Sequence, residues 1–115
     1  MDTQSFADLV REHVVNVAIE STLDKLRSPP GRRISSEERV RSAWFNSLPT
    51  EDARYLDQIV RAATEEGIFQ LFAVLDRSRK LTEEGHFELH FVEGDRRILL
   101  NDFNGIGLNE AFNAE

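Results

Sequence analysis

At 115 residues the chain has the length of one domain, and a hydrophobic content of 40%, with eight Phe and one Trp, is compatible with a core. A formal net charge of −7 argues against nucleic acid as the main partner, because phosphate binding needs a basic surface. The absence of cysteine excludes disulfides, thiol catalysis and thiolate-bound metals. No basic-then-apolar leader opens the sequence, and no apolar run nears the ~20 residues of a membrane span, so a cytoplasmic protein is expected.

Thr3 is placed to cap a long first helix, with Asp2 and Asp8 near its positive end. Phe6, Leu9, Val10, His13, Val14 and Val17 form one stripe at helical spacing. Val15, Ile19, Leu23 and Leu26 form a second, rotated stripe. A helix apolar on two sides either runs through the middle of the domain or offers one stripe to a second subunit. Pro29 and Pro30 end it. Ser35-x-x-Glu38 has the form of a capping box for a second helix, with Val40, Ala43, Trp44 and Leu48 facing inward and Phe45 adjoining. Pro49 closes that helix. Thr50 caps a third, whose inner face is Tyr55, Leu56, Ile59, Val60 and Ala63, and Gly67 reads as its C-cap.

Residues 68–75, IFQLFAVL, fit a buried strand or a continuation of the third helix, since Leu71, Val74 and Leu75 keep its phase. The strand is preferred, because a lone two-stranded hairpin is marginal and a third strand supports it. From His86 to Asp102 the chain reads as a hairpin with a derivable register. Phe87, Leu89 and Phe91 alternate with His86, Glu88, His90 and Val92. A two-residue turn at Gly94-Asp95 sets Glu93 against Arg96, Phe91 against Ile98 and Leu89 against Leu100, so the apolar residues share one side. Beyond it, Asn104, Gly105 and Gly107 make a turn. Leu108, Ala111 and Phe112 belong to a short terminal helix.

The same register puts His86, Glu88 and His90 on one strand face. Residues two apart on a strand lie ~6.6 Å apart and point the same way. Two imidazoles can then reach one metal, with Glu88 as third ligand or base. The alternative is an ordinary solvated sheet face. Asn101-Asp102, with Asn104, Gly105 and Gly107, shapes either a small polar pocket or a turn whose side chains bond their own backbone; the turn is preferred. His13 sits on an apolar stripe as a core or interface histidine. Arg32-Arg33 with Arg39 and Arg41, and Arg77-Arg79-Lys80, are basic clusters that suit an anion but read first as solvated faces. No phosphate loop, HExxH or GxSxG pattern occurs.

The segment LFAVLDR followed by GHFELHFVEGDRRILLND resembles small single-domain bacterial proteins of unknown function, in which a buried VLD segment precedes a short hairpin ending in LND. The likeness covers roughly residues 68–102, and its motifs are structural rather than catalytic. It implies a free-standing cytoplasmic protein. Small, acidic, cysteine-free bacterial domains are also similar in type to immunity proteins, which neutralise a toxin by binding it.

The expected architecture is a single α+β domain over residues 1–115. Three N-terminal helices pack on a small antiparallel sheet, a two- or three-stranded meander, and a short helix closes the chain. The expected core is Phe6, Leu9, Val17, Val40, Trp44, Leu56, Ile59, Phe72, Phe87, Leu89, Phe91, Ile98, Leu100 and Phe112. The favoured function is non-enzymatic protein interaction without a cofactor, as a homodimer through the first helix or an inhibitor of a basic partner. The alternative is a small metal- or ligand-binding protein using His86, Glu88 and His90.

Overall fold

The structure, a computed structural model, describes residues 1–114. Its helices are α1 (Thr3–Val10), α2 (Asn16–Arg27), α3 (Ser36–Ser47), α4 (Thr50–Leu75) and α5 (Leu108–Phe112); the strands are β1 (His90–Glu93) and β2 (Arg96–Leu99). The α+β class is as expected.

Asp2, rather than Thr3, caps α1: its Oδ1 accepts the Ser5 N–H at 2.7 Å. Thr3 begins the helix, and its hydroxyl donates to the Leu100 carbonyl at 2.8 Å, tying the two ends of the chain together. α1 runs into α2 through a π-helical turn (Arg11–Val15), where the Asn16 N–H reaches Arg11 O, five residues back. That turn brings the start of the first stripe, Phe6 and Val10, onto the side of the second. Ala7, Val10, Val15, Ile19 and Leu23 are all buried. In an unbroken α-helix, residues five apart point about 140° from each other; across the π turn Val10 and Val15 are both buried. Leu9, Val14 and Val17 are left exposed, and the His13 side chain, expected in the core or at an interface, is 64% accessible and so not in the core.

Ser35 opens α3 as expected. Its Oγ accepts the Glu38 N–H at 3.1 Å and donates to the Glu38 carboxylate at 3.0 Å. The inward face differs from the expected one. Ser42 and Phe45 are buried, while Val40 and Trp44 are 69% and 51% exposed. The physical reason lies at the end of α2, whose last carbonyls need donors. Ser42 Oγ (3.1 Å) and Asn46 Nδ2 (2.9 Å) both donate to Arg27 O, so α3 turns its polar edge inward to reach them.

Pro49 occupies the N-cap of α4 and Thr50 is its first residue, without a side-chain cap, so the expected Thr50 cap is corrected. The preferred strand at residues 68–75 is corrected too: IFQLFAVL is the last part of α4, and Gly67 lies inside the helix rather than at its end. An internal Gly costs about 1 kcal/mol. Burial of Phe72 and Ala73, and part-burial of Ile68 and Leu75, outweighs it. The helix stops on Arg77, the only non-Gly residue with positive φ (+65°) among the described residues. The Ser78 N–H bonds Ala73 O (3.0 Å) and the Arg77 N–H bonds Val74 O (3.1 Å), a Schellman ending with Arg where Gly is usual.

The hairpin has the expected register, with Glu93 opposite Arg96, Val92 opposite Arg97, Phe91 opposite Ile98 and His90 opposite Leu99. Leu100 N–H donates to Leu89 O at 2.8 Å and carries the pairing one step further. Gly94 has φ +58° and Asp95 is not in the positive region, the signature of a II′ turn. Among the described residues the sheet has only these two strands. In place of a third strand, Asn101 anchors the hairpin. Its side chain accepts the Leu89 N–H and donates to Phe87 O and to Leu75 O, each at 2.8 Å. Asp76, just past α4, caps α5 across 32 residues of chain by accepting the N–H groups of Leu108 (2.7 Å) and Asn109 (3.0 Å).

The core gathers where α1, the end of α4, α5 and the base of the hairpin meet. Phe72 lies 6.2 Å from Phe6 and edge-on to Phe112 at 5.7 Å. Phe72, Leu100 and Phe112 of the expected core are buried, Phe6 and Leu56 pack partly buried against the core cluster, and Leu89, Phe91 and Ile98 are half-buried. Leu9, Val17, Val40, Trp44, Ile59 and Phe87 are exposed, which corrects that list. Between Asp24 and Leu71 only Ser42 and Phe45 are buried. The molecule is accordingly long, 50 × 30 × 30 Å. Its radius of gyration is 18.3 Å, against about 13 Å for a globular chain of this length.

Candidate functional site

β1 begins at His90, so His86 and Glu88 lie in the extended chain before it rather than on the expected strand face, but the three side chains do meet. Glu88 lies between the two imidazoles. Oε2 is 3.0 Å from His86 Nε2, and Oε1 is 3.1 Å from His90 Nε2. The three side chains are 41%, 44% and 28% accessible, in that order of number. Hydrogen bonds from His86 first and His90 second hold the Glu88 carboxyl below its ordinary range. With each Nε2 donating to a carboxylate oxygen, Nδ1 is the bare nitrogen of each neutral ring, an assignment made from the hydrogen-bond pattern. His90 Nδ1 is buried and has no partner. A shared metal would need the same Nε2 lone pairs that the carboxylate now faces. Among the described residues, no three His, Asp or Glu side chains are arranged to hold a metal ion.

Asn101 and Asp102 separate in role. Asn101 is the 3% exposed anchor of the hairpin. Asp102 Oδ1 accepts the Asn104 N–H at 3.1 Å, the local turn that its residue type favours. His13 lies on the outer face with Glu12 at 3.9 Å. Of the basic clusters, Arg41 borders a groove beside Leu26, Pro29 and Pro30. Arg77, Arg79 and Lys80 line a pocket of about 220 Å³ together with Leu81, Thr82 and His86.

The larger functional signal is a surface that sequence reasoning assigned to the core. Val40 and Trp44 stand one turn apart on α3, as do Tyr55 and Ile59 on α4, and all four are at least half exposed. Helical spacing of apolar residues read these faces as inner ones; the structure leaves them on the surface. No helix among the described residues is long and apolar enough to cross a membrane. Compared with known proteins, the chain matches no family model, no curated protein and no solved structure.

Proposed function

We propose that this protein is a non-enzymatic protein-interaction module that works as a homodimer, closed by the outer faces of α3 and of the N-terminal half of α4. The observation that carries this is an area. The chain exposes 8380 Å², whereas a folded monomer of 13.2 kDa exposes about 6,400 Å². The excess of about 2,000 Å² exceeds the ~800 Å² per partner of a standard interface and falls within the range of obligate homodimers.

Its location follows from burial. The stretch between Asp24 and Leu71 has the least core of its own, with only Ser42 and Phe45 buried. Val40, Trp44, Tyr55 and Ile59 are the large apolar side chains exposed on α3 and the N-terminal half of α4 at half their surface or more. Trp and Tyr at the centre of an interface are the residues that carry binding energy. The outer stripe of the first helix supplies only Leu9, Val14 and Val17, beside an already complete core face, and is the smaller surface. Sedimentation equilibrium on the wild type and on Trp44→Glu tests the proposal. A dimer that the substitution converts to a folded monomer is the expected result. A wild type that stays monomeric at high micromolar concentration would leave these faces to a different protein and overturn the homodimer.

A further inference from the structure

We infer that the pocket formed by the end of α4 and the segment that follows it binds a small organic phosphate monoester. Its lining divides into two parts. Val74, Leu81 and Phe87 make an apolar wall, and Arg77, Arg79 and Lys80 bring positive groups to the same space, with His86, whose Nε2 faces the Glu88 carboxylate at 3.0 Å, beside them. At about 220 Å³ it is smaller than the roughly 300–1,000 Å³ of sites for drug-sized molecules, so it suits a ligand of few heavy atoms.

Charge gives the ligand its sign. The chain has 21 acidic and 14 basic residues, and some of its cations are compensated by a neighbouring carboxylate. Arg27 and Arg61, for example, pair with Asp24 and Asp57. Arg77, Arg79 and Lys80 make no ion pair among the described residues, and Glu83 and Glu84, although close in sequence, do not line the pocket. Arg79 is held by Gln70 Oε1, a neutral acceptor that leaves its charge uncompensated. Arg77 lies over the Phe103 ring at 5.1 Å, and its Nε is buried without a hydrogen-bond acceptor. Three uncompensated cations around one small space favour a dianion over a monoanion. Two guanidinium forks match the geometry of a phosphate, and the apolar wall suits the group that the phosphate is attached to. Arg77 supplies the second line of support. It occupies a left-handed position that Gly adopts without strain, so its side chain is kept there against the backbone preference.

The test is a calorimetric titration with phenyl phosphate, inorganic phosphate and phenol. Saturable 1:1 binding of phenyl phosphate is expected, tighter than inorganic phosphate, with no binding of phenol. Arg79→Gln combined with Lys80→Gln should weaken it by about tenfold or more, and added salt should weaken it in the wild type. Arg77→Gly should also weaken binding while leaving the protein at least as heat-resistant as the wild type, which separates loss of the site from loss of the fold. Absence of saturable binding, or equal affinity in the wild type and both variants, would overturn the assignment. Equal affinity for phenyl phosphate and inorganic phosphate would overturn its organic part.

Discussion

Val10 and Val15 are five residues apart and both are buried, because the π turn between them makes up the angle that an α-helix would open. The consequence can be measured one residue at a time. Val15→Ala should destabilise the protein by about 2 kcal/mol through lost burial and a cavity. Val14→Ala, next to it on the 48% exposed side, should stay within about 0.5 kcal/mol. Denaturant unfolding of the two variants at one protein concentration checks the phase. Equal losses would mean that the turn does not set the face.

This helix also shows what the sequence makes legible. Both of its stripes were visible as helical spacing, but the placing of Phe6 and Val10 on the side of the second depends on one bond, Asn16 N–H to Arg11 O, that no residue type announces. The register of the hairpin was readable, since alternation and Gly94 act over a few neighbouring residues and a one-residue slip would invert every side chain, whereas its strands are shorter than the alternation suggested. Where α4 ends was not readable. The usual signal, Gly, stands at 67 inside the helix, while the true stop carries Arg77. The inner face of α3 was misread because Ser42 and Asn46 answer to a carbonyl of another helix, a demand that local pattern does not contain. Of the candidate site, the grouping of His86, Glu88 and His90 was legible from period two. The Asp76 cap, spanning 32 residues, was not.

Asn101 makes three hydrogen bonds that join Leu75, Phe87 and Leu89. Asn101→Ala leaves two carbonyls and one N–H without partners near the core, and should cost about 3 kcal/mol. Asn101→Asp should do at least as much damage, since a carboxylate cannot donate to Leu75 O and Phe87 O. Thermal unfolding checks both. In amide exchange, Leu89 and Leu100 should lose protection first. A loss under 1 kcal/mol would mean that the hairpin is held by its turn and apolar pairs alone.

Arg77 has φ +65°, which a residue with a Cβ adopts at a cost and Gly does not. Arg77→Gly should therefore raise stability by up to about 1 kcal/mol, a few degrees in melting temperature, even after the contact with Phe103 is lost. A decrease in melting temperature would show that the guanidinium contributes more to the fold than its backbone position costs.

Glu88 predicts a pH dependence. Its folded pKa lies below the ordinary 4.5. A lowered carboxylate contributes stability that is fully present above the unfolded value and is lost as pH falls through the folded one. The melting-temperature difference between the wild type and Glu88→Gln should shrink on acidification below pH 4.5. A difference that does not change with pH would show that the two imidazole contacts do not favour the ionised form.

The homodimer is tested most directly by sedimentation equilibrium of the wild type, with Trp44, the single tryptophan, as an internal probe. The predicted result is a mass twice the 13.2 kDa of the chain, with Trp44 emission shifting to the red as dilution exposes the ring, and a monomer for Trp44→Glu. A mass of one chain at every concentration, with emission that never moves, would contradict it.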